Sequence, residues 1–279
     1  MNLNLLKPYY AKYGWTQAIN YNCNCSDNHF NALQVSMAKQ FSKGLSLNAN
    51  YAWQKAMDYD SNYFAVNKHA VYGPEQFSKK QVFNLFGFYE LPIGRNGQFF
   101  KDVPKWADYL IGGYQIAPLV SIQSGLPFSM TFAGCSNNGI NVPVGSPCYP
   151  DQNGPFLTGL GKFNPVSHSR SYFTHSSSLM TSGNSYGPFS VPALGSVGNA
   201  GRDTFWGPGQ WNADISVSKS VPIRESFRAQ FRVDAFNAFN HINPGNPGTG
   251  IDSASGGVIS GINTNLSPRQ LEFAAKLIF

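Results

Sequence analysis

The chain has 279 residues, of which only 12% are charged and 15% aromatic, with 22 Phe, 14 Tyr and a net charge of +6. Soluble domains carry about twice that share of charge, yet the mean hydropathy is −0.25 and no apolar run reaches the ~18 residues of a membrane helix. This excludes a helical membrane protein and leaves two classes: a β-barrel, apolar outside and polar inside, or a secreted β-protein. The cations are dispersed, in runs no longer than the pair Lys79-Lys80. No basic stripe is interleaved with stacking aromatics, which argues against nucleic acid as a partner. The positive excess reads as a solvated rim and lumen.

Residues 1–29 form a weakly patterned lead-in, in which Leu3, Leu5 and Tyr9-Tyr10 to Trp15 predict a strand within 3–19 and Asn20 to Asn28 a polar loop. The amino terminus lacks the basic start, apolar run and small-residue cleavage site of a secretory signal. For a chain that otherwise reads as exported, this leads us to expect the carboxy-terminal piece of a longer protein.

From residue 30 the pattern is two-residue alternation. Leu33, Val35, Met37 and Phe41 are expected on one face of a strand, with Gln34, Ser36 and Gln40 on the other. A short connection at Ser42-Lys43 leads into Leu45, Leu47, Ala49, Tyr51 and Trp53, which alternate with Ser46, Asn48 and Asn50, and the two segments make a hairpin. After a Tyr-rich loop over 55–80, a strand is predicted from Lys80 to Ile93. Its facing is ambiguous, because Phe83, Leu85 and Tyr89 compete with Val82, Phe86 and Phe88. A modest turn at 92–97 precedes a strand predicted over Ala107 to Gln123, with Pro118 marking a bulge or a strand end. Residues 133–210, rich in Gly, Ser, Asn and Pro, give no clear strand and read as a long extracellular loop region. Trp211 to Ile223 and Phe227 to Val233 alternate about the short turn Arg224-Glu225, and residues 240–267 are again loop.

The chain closes on a strand in which Leu271, Phe273, Ala275, Leu277 and Phe279 share a face opposite Gln270, Glu272, Ala274 and Lys276. Its length matches the about 9–11 residues of a tilted bilayer-crossing strand. The links between strands are expected to run short, long, short, long, short, long, which puts all short links on one rim. That is the rule for an antiparallel up-and-down transmembrane barrel with short periplasmic turns and long extracellular loops. The expected fold is therefore all-β: about seven or eight strands of a larger outer-membrane barrel, occupying residues 30–279.

Four cysteines lie at 23, 25, 135 and 148, all on the side expected to be extracellular. Cys23 and Cys25 are too close in sequence to pair comfortably with each other. Cys135 and Cys148 fit a loop disulfide in an oxidising compartment. No Cys or His spacing suits a metal, no ordered motif places a nucleophile, and no cofactor is expected. Arg228, Arg232, Asp234 and Glu272 fall on the polar faces of neighbouring strands, either as a lumen charge ladder on a substrate path or simply as groups that solvate the interior. Phe236-Asn237-Ala238-Phe239-Asn240 reads as an aromatic girdle where a strand leaves the bilayer.

Several stretches carry a resemblance. Val197-Gly198-Asn199-Ala200-Gly201-Arg202-Asp203, Gly207-Pro208-Gly209, Trp211 to Lys219 and Phe231 to His241 follow one another in the order and spacing of a known family. So do Gly44 to Trp53, Tyr89 to Gly94, Gly112 to Ile116, Gly125 to Phe128 and the final Pro268-Arg269-Gln270-Leu271-Glu272-Phe273. Over about residues 30–279 the chain resembles the carboxy-terminal barrel of Oar-like TonB-dependent receptors, which abound in environmental Gram-negative bacteria such as acidobacteria. The resemblance implies a wide barrel filled by an amino-terminal plug and driven through the TonB complex, the plug and the remaining strands lying outside this sequence. It implies outer-membrane lipid as the surroundings and the barrel-assembly machinery as a partner, recognising a terminal signal of Leu271, Phe273, Leu277 and Phe279. The expected activity is uptake of a large or scarce solute rather than catalysis. The rival expectations are an adhesive surface barrel and a soluble secreted sandwich that binds glycans.

Overall fold

A computed structural model describes residues 9–17, 24, 26–59, 68–95, 97–132, 149–155, 159–172, 185–193, 198–224, 227–263 and 266–279. All four cysteines, and with them the expected Cys135–Cys148 disulfide, lie outside the described residues. Seven long strands form one antiparallel meander in chain order: β1 (His29–Ser42), β2 (Leu45–Tyr59), β3 (Gln81–Glu90), β4 (Tyr114–Gln123), β5 (Gln210–Arg224), β6 (Phe227–Phe236) and β7 (Gln270–Ile278). A short strand, Tyr72–Pro74, also pairs with the end of β2. The sheet is not closed, and β1 and β7 are its edges. The soluble sandwich would need a second sheet packed face to face on the first; the long strands form a single sheet.

Register turns the sequence alternation into two faces. Val35, Tyr51, Phe83, Ile122 and Trp211 make one continuous cross-strand row, and Ser36, Asn50, Asn84, Ser121 and Asn212 make the next. Toward the other rim, Leu45, Tyr89, Ile116, Val217, Val233 and Phe273 form a six-strand apolar row. Directly opposite residues share a face, so the register settles the facing of β3: Phe83, Leu85 and Tyr89 belong to the apolar face, and Val82, Phe86 and Phe88 to the polar one.

Five expectations are corrected. The register of the first hairpin shifts between Lys39 and Ser42. This bulge turns Phe41 away from the face of Leu33, Val35 and Met37, and its ring stacks on Phe88 at 5.7 Å, because one extra residue reverses the alternation beyond it. Pro118 neither ends nor bulges β4, which pairs without interruption with β5. The ladder to β3 lapses instead at Gly87 and Phe88, where Pro118 has no N–H to offer. The stretch from Ala107 is not strand: Lys105–Ile111 is a helix, started after Pro104 and stopped at Gly112. The third link thus spans residues 91–113 and is no tight turn. Of the strand expected within 3–19, the described residues 9–17 hold instead a single helical turn, Tyr10–Tyr13, ended by Gly14 at φ 65°; residues 3–8 and 18–19 lie outside the described part.

The fifth correction concerns the long links, which pack together instead of spreading as loops. Phe128, Met130, Phe132, Tyr149, Tyr172, Phe189, Ala200, Phe205, Ile251 and Ile259 form a buried hydrophobic cluster drawn from residues 124–209 and 237–263. Short strands frame it: Pro127–Phe128 on Phe205–Trp206, Asp151–Gln152 on Phe189–Ser190, and Ser169–Ser171 between Phe163–Asn164 and Val258–Ile259. Phe189 meets Phe205 edge-on at 5.7 Å. The main hydrophobic core therefore lies in a cap on the long-link rim, whereas the long strands leave large apolar side chains exposed.

Candidate functional site

Three surfaces meet in the molecule. The first is the apolar face. Leu33, Val35, Met37, Trp53, Ile122, Phe231, Leu271, Phe273 and Leu277 are all exposed, Phe273 at 76%. Exposed apolar area of this extent is unfavourable in water and marks a face made for another apolar medium. At its upper end Trp211 lies 5.9 Å from Phe239 and 4.3 Å from His241, which places aromatics where the girdle is expected. The asparagines of that motif hold the backbone. Buried Asn237 donates to the carbonyls of His241 and Ser267 and accepts from the His241 N–H, while its own N–H donates to Asp214 Oδ1 at 2.7 Å. Asn243 pairs with both the N–H and the C=O of Trp211, at 2.9 and 3.0 Å, as a neighbouring strand would. Sequence reasoning missed these clamps; the N-x-x-N-H-x-N spacing was their only trace.

The second surface is the polar face. Arg228, Arg232, Asp234 and Glu272 all fall on it, but they do not form a ladder of ion pairs. Arg232 Nε meets Asp234 Oδ2 at 2.8 Å along one strand. Glu272 stands directly across from Asp234, and Arg228 across from Ile278, with no ion pair to either among the described residues. Phe41, Phe86, Phe88 and Leu119 make an apolar island on this face, Phe86 standing opposite Leu119. Toward the short-link rim, Glu90, Gln115, Ser218, Ser220, Arg228 and Gln230 line a cavity of about 640 Å³, bounded below by residues 91–113.

The third surface joins cap to sheet. Arg202, only 4% exposed, donates from Nη1 to the Asp58 carboxylate and to the Asp58 carbonyl at 3.0 Å, and its Nε lies 3.2 Å from Asp203 Oδ2. Asp203 in turn accepts from the Ser129 hydroxyl and donates its N–H to the same oxygen, both at 2.8 Å. Glu75 completes the group. Its carboxyl is raised above its ordinary range, first by a hydrogen bond with the Asp58 carboxyl and then by burial. Close backbone approach is built in: a Cβ on Gly73 would stand 2.2 Å from the Arg202 carbonyl oxygen, and one on Gly125 1.9 Å from that of Gly207. Asp58 is on the polar face, so Arg202 draws the cap over that side. In the sequence Arg202 and Asp203 stand out only through the resemblance, which gives them no such role.

Leu271, Phe273 and Leu277 stand on the apolar face opposite Ala235, Val233 and Ala229, whereas Phe279 lies just past the end of β7.

A family model described as an outer membrane beta barrel domain matches residues 1–272. No match was found among curated proteins or among solved structures. The match fixes the environment: the protein resides in the outer membrane, its apolar face toward lipid and its polar face toward the lumen, and by the rule for such barrels the long-link rim with the cap is extracellular. With a strand-rich antiparallel sheet and a family model spanning nearly the whole sequence, the chain belongs to the outer membrane β-barrel domain family.

Proposed function

We propose that the chain forms the carboxy-terminal part of a TonB-dependent, Oar-like outer-membrane transporter that takes up a large or scarce solute without catalysing a reaction. The observation that carries this reading is the open sheet. β1 and β7 are long strands, each with one edge unpaired among the described residues. In a membrane such edges must be paired, so the sheet is one sector of a wider cylinder. The polar face beneath an attached cap supports a lumen guarded from outside, and the resemblance of residues 197–247 supplies the receptor type. The plug, the remaining strands and the coupling to the TonB complex would then come from sequence beyond this chain, and the barrel-assembly machinery would read the end of β7.

An antibody against the cap tests this in outer-membrane fractions. The reading expects a heat-modifiable polypeptide much larger than 30.6 kDa, continuous with a plug. A band at 30.6 kDa that assembles as a closed oligomer would contradict it. The folded cap also favours a second reading, an adhesive surface barrel. That alternative expects the same membrane fraction and apolar belt, but no plug and no protonophore-sensitive uptake.

A further inference from the structure

The link between β3 and β4, residues 91–113, stands on the periplasmic rim, and its outward surface is apolar. Its helix, Lys105–Ile111, has two faces. Ala107, Asp108 and Ile111 are half-buried. Asp108 accepts the Arg95 N–H at 2.8 Å, and Asp108 and Tyr109 line the lumen cavity described above. Trp106 and Leu110 lie one turn apart on one face, each about 200° around the helix from Asp108, and they are 68% and 62% exposed. Phe99 and Phe100, just before the helix, are exposed as well. A surface helix in water turns its polar residues outward. Here the outward residues are apolar, which marks a surface made for contact with another apolar medium.

Two observations say which medium. The first is continuity with the lipid face. Lys219 stands on that face, across from Phe231 and Tyr114. Its Nζ donates to the Gly112 carbonyl at 2.6 Å, and the ammonium lies 4.2 Å from the centre of the Tyr114 ring. The end of the helix is thus fastened to the lower margin of the surface that lipid covers. The second is charge. Lys101 and Lys105 flank the aromatic residues, with Asp102 the only exposed carboxylate of the link among the described residues. Lys39, across from Leu47, and Lys219 stand on the lipid face toward the same rim, and no carboxylate stands on that face in the seven long strands. Aromatic residues mixed with lysines suit the headgroup zone of a bilayer, and the lysines suit anionic headgroups.

We propose that this link is a membrane anchor. Trp106, Leu110, Phe99 and Phe100 enter the headgroup zone of the periplasmic leaflet, and Lys101 and Lys105 contact the phosphates of anionic phospholipid there. The occupant is the bilayer surface itself. The inference rests on the outer-membrane placement of the fold and not on the transport reading.

The test uses the full chain with its four cysteines replaced by serine. One cysteine, from Trp106→Cys, Leu110→Cys or, in the cap, Val166→Cys, carries the polarity-sensitive fluorophore NBD, and circular dichroism confirms the sheet in each variant. The vesicles are phosphatidylcholine, alone or mixed with anionic phosphatidylglycerol, with or without lipid that bears a nitroxide high on its acyl chain. In the anionic vesicles, positions 106 and 110 should emit to the blue of position 166 and be quenched at least about twofold. Position 166, 90% exposed, should emit as in water and stay unquenched. Quenching at 110 should be weaker in phosphatidylcholine alone, and adding Lys101→Gln and Lys105→Gln should lower it to that weaker level in the anionic vesicles. Water-like emission at both 106 and 110 would overturn the proposal. So would blue-shifted emission without quenching, which assigns the surface to a protein partner, and so would quenching that is equal with and without phosphatidylglycerol or unmoved by the lysine replacements.

Discussion

Arg202 is the side chain on which attachment of the cap depends. A buried guanidinium shared between two carboxylates leaves uncompensated charge when it is removed, a loss of about 3 kcal/mol or more. Arg202→Met is therefore expected to open the cap while the sheet persists. Limited proteolysis should then cut within 198–209 at a rate raised at least about tenfold, with unchanged strand content. Glu75 adds a pH dependence to the same junction. Its carboxyl is raised by the hydrogen bond with Asp58 and by burial, so the closed cap holds a proton that an opened cap releases. The contribution is full below the ordinary carboxylate value and is lost as pH rises through the raised value. The protection of cap amides, taken relative to the intrinsic exchange rate at each pH, should fall as pH rises above the ordinary carboxylate value, and Glu75→Gln should flatten that profile. Asn237→Ala removes three side-chain hydrogen bonds at a residue with φ 46°. It should cost about 2 kcal/mol, measurable as a lower denaturant midpoint in micelles.

Among the elements, alternation was the most legible signal. β5, β6 and β7 lie where the two-residue pattern placed them, and β2 does so to Trp53 before running on to Tyr59 through residues read as loop, because most of their length packs against no second layer and so carries its environment directly in its sequence. Phe273→Arg on the lipid side of β7 should therefore destabilise the folded chain by about 2 kcal/mol, whereas Gln230→Lys on the lumen side should be tolerated; equilibrium unfolding in lipid bilayers separates the two. What stayed illegible depends on contacts distant in sequence. A bulge near Lys39 reverses the facing of Phe41, and nothing local announces it. Leu110 fits the alternating pattern read for a strand, yet it lies in a helix set by Pro104 and Gly112. The cap core is the largest omission. Phe128, Tyr172, Phe189 and Ile251 are spaced tens of residues apart in Gly-, Ser- and Asn-rich sequence, so no periodicity reveals that they meet. The charged side chains expected in the lumen do share one face, but among the described residues only Arg232 and Asp234 pair. Alternation fixes a face; it does not fix partners.

At the scale of the whole molecule, the sheet supplies a wall and the cap a cover, joined through Asp58, Arg202 and Glu75. The apolar rows across the wall have meaning only if lipid lies against them, and the polar rows only if water fills the other side. That two-sidedness is the central claim, and β6 tests it directly. Single cysteines carrying a nitroxide are placed at positions 230 to 233, in a background with the four native cysteines replaced by serine, and the protein is reconstituted in lipid bilayers. Collision rates with lipid-soluble oxygen and with a water-soluble nickel chelate are then measured at each site. Positions 231 and 233 should favour oxygen and positions 230 and 232 the nickel chelate, with a period of two. Equal access of the nickel chelate at all four positions would contradict the account, since both faces of the strand would then lie in water.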